Sequence, residues 1–142
     1  AKKNNVKIFL PTDVVVSKSF SNNDKQKEVN IQNIPDGWQG LDIGAKTRKK
    51  FSDVIKQSNT ILWNGPMGVF EMPSFQSGTK AIANAVAEAT KNSSFSLVGG
   101  GDSVAAIKKF NLKDKISFIS TGGGAMLESL EGKTLPGIKA LQ

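Results

Sequence analysis

The sequence predicts an α/β fold with a doubly wound, mainly parallel sheet and helices on both faces. This is a three-layer αβα, Rossmann-like arrangement, here as a partial domain. From residue 44 onward, segments with helical periodicity alternate with short apolar segments, and short loops join them. Such alternation requires parallel strands linked by right-handed crossovers. The apolar runs "ILW", "FSLV" and "ISFI" are typical of strands that are covered on both faces.

The first 43 residues carry weaker patterns. "VKIFLP" and "DVVVS" are short runs rich in β-branched residues and predict two strands. A polar stretch follows, in which Asn22 to Asp24 predict a turn and Lys27 to Ile31 an edge strand. "IPDGWQGLDIG" contains three glycines and a proline without helical periodicity, so it predicts a long loop.

The remaining elements follow in order. A stripe at helical spacing, formed by Phe51, Val54, Ile55 and Ser58, predicts a helix before the strand "TILW". The next helix has its buried stripe at Ala81, Ile82, Ala85, Val86 and Ala89, and Ser74 is its predicted cap. The strand "FSLV" precedes a helix over residues 102–110, and "ISFIS" precedes one over 122–130. "GKTLPGI" predicts an exposed turn.

Composition limits the possible functions. The 142 residues suit one domain, with 38% hydrophobic and 22% charged residues, and no apolar run approaches the ~20 residues of a membrane span. Cysteine and histidine are absent, which excludes disulfides, thiolate or histidine metal sites, and catalysis by serine–histidine or cysteine–histidine pairs. We expect a cytoplasmic protein. Because the chain enters its first predicted strand directly after Ala-Lys-Lys, we also expect it to be a piece of a larger protein.

The net charge of +7 favours anionic partners such as nucleic acid, nucleotides or small phosphates. The densest basic cluster is "KTRKK", Lys46 to Lys50. We interpret it as a solvated helix face, since no aromatic residue is interleaved with it as in many nucleic-acid-binding surfaces.

Two glycine triples, in "LVGGGDSVAAI" and "ISTGGGAMLESL", each stand where a predicted strand meets a helix. Loops 64–71, 99–103 and 121–125 should therefore meet at the carboxyl edge of the sheet, where ligands bind in such folds. Glycines let the backbone approach an anion, and the helix that follows offers free N–H groups. Two such corners suit phosphoryl transfer between a nucleotide and a second substrate. The alternative is that the glycines serve only tight turns and helix–sheet packing.

Two acids adjoin these loops, and each has two interpretations. Asp102 is either a helix cap that accepts a backbone N–H or a ligand of Mg²⁺ beside a polyphosphate. Glu71 is either a surface acid or an acceptor for ribose hydroxyls. Other phosphate motifs fail: "GLDIGAKT" lacks the spacing of a Walker A loop, and no G-x-G-x-x-G opens a helix.

Four segments, "GWQGLDIG", "ILWNGPMGVFE", "LVGGGDSVAAI" and "STGGGAMLESLEGKTLPG", resemble the carboxyl-terminal part of phosphoglycerate kinase in order and spacing. The resemblance runs from about Val6 to Ala140. It implies that residues 1–142 are the later part of the nucleotide-binding domain, without the amino-terminal substrate domain. It also implies that the parent transfers a phosphoryl group between 1,3-bisphosphoglycerate and Mg-ADP, or in reverse from ATP to 3-phosphoglycerate.

The resemblance also implies roles for matching residues at the base and sugar. Gly40 would lie against the adenine, with Val69 lining the same pocket. Glu71 would receive the ribose hydroxyls. The residues implied around the ribose and phosphates are Asn64, Gly65 and Pro66.

Further matching residues would meet the phosphates. Gly100, Gly101, Asp102 and Ser103 would face the phosphates, and Asp102 would hold Mg²⁺. The transferring phosphoryl group would meet Thr121, Gly122, Gly123 and Gly124.

The departures from the family pattern are small. Ser103 replaces a common threonine but keeps the hydroxyl, and neither Phe118 for histidine nor Ala45 for proline should touch the chemistry. The expected partners are an adenine nucleotide and the phosphoglycerate substrates, not nucleic acid or a membrane, and the parent is expected to be a monomer. The alternatives are a stand-alone nucleotide- or phosphate-binding module without catalysis, and a basic nucleic-acid-binding domain, which the motif order disfavours.

Overall fold

The six strands of the computed structural model, which describes residues 1–142, form two separate three-stranded sheets. Strands β1 (Asp13–Ser17), β2 (Gln26–Asn30) and β3 (Gln39–Ile43) form an antiparallel sheet in the order β2-β1-β3. Strands β4 (Thr60–Asn64), β5 (Phe95–Gly99) and β6 (Phe118–Ser120) form a parallel sheet in chain order.

Helices alternate with the parallel strands as the sequence predicts. They are α1 (Ala45–Lys56), α2 (Ser77–Lys91), α3 (Gly101–Lys109), α4 (Gly123–Leu130) and a short α5 (Pro136–Lys139) within the predicted terminal turn. Short 3-10 turns cover Lys2–Asn4, Ile31–Asn33, Pro73–Phe75 and Lys113–Lys115. The predicted fold class, an α/β, Rossmann-like partial domain, is confirmed. None of the helices is both long enough and apolar enough to cross a membrane.

The main core lies on one face of the parallel sheet. Side chains alternate between the two faces of a strand, so Ile61, Trp63 and Val98 point to the same side. They form one buried cluster with residues of α2 and α3, among them Ile82 and Ile107. This burial holds the two helices against the sheet and aligns their amino termini with its carboxyl edge.

The opposite face is covered less completely than the sequence predicts. Met126 of α4 lies against Gly99 on that side. Leu62, Phe95 and Phe118 remain 43%, 52% and 58% exposed. The apolar runs therefore do not by themselves establish that both faces are covered within this chain.

The predicted first strand, "VKIFLP", is absent. Val6, Ile8 and Leu10 are between 57% and 66% exposed, and no strand of this chain pairs with their segment. A β-strand needs a ladder of hydrogen bonds to a neighbour, which a favourable composition does not supply. Phe9 instead borders an apolar groove of about 310 Å³ beside the unpaired edge of β4.

The predicted long loop at residues 34–44 contains β3. This strand pairs antiparallel with β1, and a register shift lies between Val15 and Val16. Gly40 is needed here, because a Cβ at that position would lie 2.8 Å from the Val14 side chain. The glycines of this segment indicated a loop, because strand formation here depends on pairing with β1, a tertiary interaction that local composition does not reveal. The predicted edge strand is confirmed as β2, which pairs only with β1.

Two buried aspartates connect the antiparallel sheet to helices α1 and α2. The Asp13 carboxylate accepts hydrogen bonds from the backbone N–H groups of Lys46 and Thr47, both at 2.8 Å, at the start of α1. The Asp42 carboxylate accepts the N–H of Gly78 at 2.7 Å at the start of α2. The prediction that Ser74 caps this helix is wrong: α2 begins at Ser77, and Ser74 bonds to Asn22.

The basic cluster lies on α1, as interpreted from the sequence. Lys46, Lys49 and Lys50 are exposed, and Lys49 pairs with Asp53 at 2.7 Å. Arg48 is half-buried and donates to the carbonyl oxygen of Ile43 at 3.0 Å. The cluster is a solvated helix face with one arginine that anchors the helix to β3.

Candidate nucleotide site

The three predicted loops leave neighbouring strands at the same edge of the sheet. Asn64 ends β4 and pairs in register with Gly99, which ends β5 and pairs with Ser120, which ends β6. The predicted site residues from Asn64 to Glu71, from Gly100 to Ser103 and from Thr121 to Gly124 are therefore adjacent at the carboxyl ends of the strands. This is the edge at which open α/β sheets bind ligands.

A direct hydrogen bond joins the first two loops. The backbone N–H of Gly65 donates to the Ser103 hydroxyl oxygen at 2.7 Å. Trp63 donates its indole N–H to the Gly65 carbonyl oxygen, also at 2.7 Å. Since Ser103 is fully buried, its hydroxyl serves first to hold the loop, a role that the sequence did not predict.

The six glycines of the two triples divide into two groups. Three have close neighbours: Gly100 has φ of 86° beside Asn64, a Cβ on Gly123 would lie 2.6 Å from the Gly100 nitrogen, and a Cβ on Gly99 would meet the flexible end of the Met126 side chain. The packing interpretation is supported for Gly100, by its positive φ, and for Gly123, by its backbone neighbour. A Cβ on each of the other three would meet nothing within 4 Å, namely Gly101, Gly122 and Gly124. The second group leaves open space on the side where a Cβ would stand, so a ligand can approach the backbone there.

Helices α3 and α4 begin beside each other at these corners. The contact between Gly123 and Gly100 brings their amino termini together, and no side-chain hydrogen bond caps either one. The first N–H groups of a helix have no partner within the helix, and its dipole places partial positive charge there. Two uncapped termini side by side make a strong site for a polyanion.

Asp102 is exposed in the first turn of α3. The prediction that it lies at the helix N-cap is wrong, because Gly100 holds that position and no side chain caps the helix. The exposed carboxylate suits Mg²⁺, which prefers one or two carboxylates together with phosphate oxygens. No three acidic side chains come together anywhere in the structure, so a metal here would also need oxygens from its nucleotide.

A cleft lies between the antiparallel sheet and the loop that follows β4. The cleft has a volume of about 350 Å³, and the predicted site residues Gly40, Pro66 and Val69 line it. The N–H of Val69 donates to the carbonyl oxygen of Leu41 at 2.9 Å, which joins the loop after β4 to the antiparallel sheet. Thus β3, which lies in the predicted loop 34–44, forms one wall of the cleft.

Asp42 also lines the cleft, and no sequence motif predicted it as a site residue. Its side chain lies against Gly68 and Gly78, neither of which has room for a Cβ, and it accepts the N–H of Ile43 at 2.9 Å. Burial raises the pKa of Asp42, although the hydrogen bonds from the N–H groups of Gly78 and Ile43 and the charge of Arg48 oppose the shift. An acid between the apolar residues of "GLDIG" was the available signal.

Glu71 lies at the end of the loop that begins after β4 and is exposed. Lys109 of α3 donates to the main-chain carbonyl oxygens of Phe70 at 2.6 Å and of Glu71 at 3.2 Å. Thr121 is likewise exposed, just before α4. Every predicted site residue therefore lies at the corners, along the cleft or on the loop that connects them.

Comparison with known families agrees with this arrangement. The family model described as phosphoglycerate kinase matches residues 1–133. The chain belongs to the phosphoglycerate kinase family. The alternative of a stand-alone binding module is not favoured.

Curated phosphoglycerate kinases match the chain along its length. The protein of Porphyromonas gingivalis is 53% identical over 142 residues, which are 100% of this chain and 34% of the relative. That of Nostoc punctiforme is 53% identical over 141 residues, 99% of this chain and 35% of the relative. The chain thus spans about a third of the length of these phosphoglycerate kinases.

Solved phosphoglycerate kinase structures share the fold. The Coxiella burnetii structure superposes with a TM-score of 0.90 at 45% identity, covering 99% of this chain and 36% of that one. The Pyrococcus horikoshii structure gives a TM-score of 0.76 at 36% identity, covering 93% and 32%. Both the antiparallel and the parallel sheet therefore belong to the phosphoglycerate kinase fold.

Proposed function

We propose that residues 1–142 form the carboxyl-terminal part of the nucleotide-binding domain of a phosphoglycerate kinase, and that they bind Mg-ADP or Mg-ATP. The contact of Gly123 with Gly100 carries this proposal, because it places two uncapped helix amino termini side by side. Membership of the family supports the choice of nucleotide and of the reaction.

In this proposal the two glycine corners contact different phosphates. The backbone at Gly100 and Gly101 faces the phosphates of the nucleotide, and Asp102 holds Mg²⁺, which would neutralise phosphate charge. Ser103 positions the corner through Gly65. The transferring phosphoryl group meets the start of α4, formed by Thr121, Gly122, Gly123 and Gly124.

The cleft beside β3 would take the base. Gly40 and Val69 lie on its walls, together with Pro66. Glu71 would receive the ribose hydroxyls, and Asn64 with Gly65 would lie between ribose and phosphates. The partly apolar lining of the cleft suits a planar aromatic ring.

The proposed reaction needs little covalent chemistry from the protein. An oxygen of the terminal phosphate of ADP attacks the acyl phosphate of 1,3-bisphosphoglycerate, and the phosphorus–oxygen bond to the carboxylate breaks to leave 3-phosphoglycerate and ATP. Such in-line transfer depends on positioning and on stabilisation of the equatorial oxygens, so the absence of histidine and cysteine is no obstacle.

The glycerate substrate would be bound mainly by a domain outside these residues. We therefore propose that the 142-residue chain alone has little or no turnover, since closure of two domains assembles the dry site in such enzymes. The parent is proposed to be a monomeric, cytoplasmic enzyme of glycolysis that binds neither nucleic acid nor membranes. A coupled assay in which the purified 142-residue chain catalysed the reaction as fast as the full-length relatives would contradict the proposal that it has little or no turnover alone.

The site itself is tested by calorimetric titration with ADP, with and without Mg²⁺, for the wild type and Asp102→Ala. We expect saturable binding that the substitution weakens by about tenfold with Mg²⁺ and hardly at all without it, since the carboxylate acts through the metal. Asp114→Ala is the matched control, an exposed aspartate in a short turn away from the corners. Equal losses of ADP affinity with and without Mg²⁺ would show that Asp102 does not act through the metal.

A further inference from the structure

The two ends of helix α3 contact the two ends of the loop 65–71. Near the start of the helix, the Ser103 hydroxyl accepts the N–H of Gly65 at 2.7 Å. At its last residue, the Lys109 ammonium donates to the carbonyl oxygens of Phe70 at 2.6 Å and Glu71 at 3.2 Å. The helix that begins at the phosphate corner thus also reaches the proposed ribose end of the site.

The contact made by Lys109 is specific in its geometry. Its Nζ atom lies 5.9 Å from the centre of the Phe70 ring, and that ring is 5% exposed. An ammonium group has three donors, so it can satisfy two adjacent carbonyl oxygens at once. Lys109 and the neighbouring Lys108 are both exposed, but Lys108 donates to neither carbonyl oxygen.

The Glu71 side chain extends from this anchored stretch of main chain. The residue is exposed, and its carboxylate is not among the ion pairs of the structure. Its position relative to a ligand is therefore set mainly by the backbone of residues 70 and 71. Holding a recognition group in one place lowers the entropy that binding must remove.

We propose that Lys109 is a positioning residue for nucleotide recognition, which fixes the main chain at Phe70 and Glu71 so that the Glu71 carboxylate meets the ribose hydroxyls. This inference rests on the proposed function, because it assumes that an adenine nucleotide occupies the site. It adds a residue on α3 to that site and predicts an effect on recognition of the sugar, not of the phosphates.

The test compares Mg-ADP with Mg-2′,3′-dideoxy-ADP, which lacks the two hydroxyls, by calorimetric titration of the wild type, Lys109→Met and Lys108→Met. We expect Lys109→Met to weaken ADP binding by about fivefold, the effect of roughly one hydrogen bond, and to leave dideoxy-ADP binding within about twofold. Lys108→Met should change neither. Lys109→Arg, which keeps a long donor, should restore most of the preference for ADP.

Titrating both nucleotides into Glu71→Gln, with and without Lys109→Met, completes a double-mutant cycle. If Lys109 acts through Glu71, the preference for ADP falls in Glu71→Gln, and adding Lys109→Met causes little further loss. Equal weakening of both nucleotides by Lys109→Met would show a general effect on the loop and would overturn the inference alone. A wild-type chain that binds no ADP would overturn the proposed function and this inference with it.

Discussion

The hydroxyl oxygen of Ser103 accepts a hydrogen bond from the backbone N–H of Gly65 at 2.7 Å. Gly65 has a φ of 101° and is half-buried, whereas its partner Ser103 is fully buried. The bond connects the loop after β4 to the helix after β5. It makes two loops that are far apart in sequence into one surface.

We therefore expect Ser103→Ala to destabilise the chain by about 1–2 kcal/mol, because the Gly65 N–H loses its buried partner. Urea unfolding followed by circular dichroism measures the change. Ser129→Ala is the control, since Ser129 is exposed on α4, and it should stay within about 0.5 kcal/mol of wild type. A Ser103→Ala variant as stable as this control would show that the loop does not need the bond.

Asp13 should make stability depend on pH at the acid end. Burial raises the pKa of Asp13, but the hydrogen bonds from Thr47 and from the N–H of Lys46 outweigh burial and hold the pKa below its ordinary value of 3.8. The unfolded chain then binds a proton more readily than the folded one. The stability that Asp13 contributes is complete above about pH 5 and is lost as the pH falls through the folded pKa.

Asp13→Asn tests this dependence in urea unfolding between pH 7 and pH 3. We expect a loss of roughly 1–2 kcal/mol at pH 7, since an amide replaces a charged helix cap, and a smaller difference from wild type below pH 4. Asp114→Asn, an exposed aspartate, is the matched control. A difference in unfolding free energy that stayed constant from pH 7 to pH 3 would show that the charge of the Asp13 carboxylate does not contribute to stability.

Gly100 should tolerate no side chain. Its φ is 86°, and an added Cβ would collide with the Asn64 amide oxygen. We expect Gly100→Ala to cost about 1–3 kcal/mol and to disturb the corner between β5 and α3. Gly137→Ala is the control, because that glycine is helical and has open space around it, and thermal unfolding of both variants should separate them. Equal melting temperatures would contradict the packing argument.

Asp42 should matter for the fold as well as for the cleft. Asp42→Ala leaves the N–H groups of Gly78 and Ile43 without their acceptor, and we expect a loss of about 2–3 kcal/mol in urea unfolding. Asp36→Ala, at an exposed position, is the control and should change stability little. The raised pKa of Asp42, caused first by burial, means that its charge opposes folding at neutral pH. A stable Asp42→Ala would show that relief of this buried charge outweighs the lost bonds.

Periodicity predicted the second half of the fold because it is a local property of the chain. The stripe through Phe51 and Ile55 became α1, and the runs around Trp63 and Val98 became neighbouring parallel strands. The glycine corners were also located correctly, since a strand followed by glycines and a helix can be recognised without knowing the partners. The roles proposed there for Asp102 and Glu71 remain predictions.

Pairing predicted from composition was less successful. "VKIFLP" has the residues of a strand but has no partner strand, whereas "QGLDI" has a glycine and an aspartate yet pairs with β1. Capping failed for the same reason: the acceptor at the start of α2 is Asp42, which is 36 residues distant from Gly78. Nothing near Ser74 in the sequence indicated this.

The sequence by itself determined the order of helices and strands after residue 44, the position of the two glycine corners and the family, because each depends on residues that are close together along the chain. Only the tertiary structure decided which glycines serve packing and which face open space, that Ser103 and Lys109 hold the loop 65–71, and that β3 forms a wall of the cleft. These depend on contacts between distant segments, and such contacts form only when the buried face of the sheet brings the segments together.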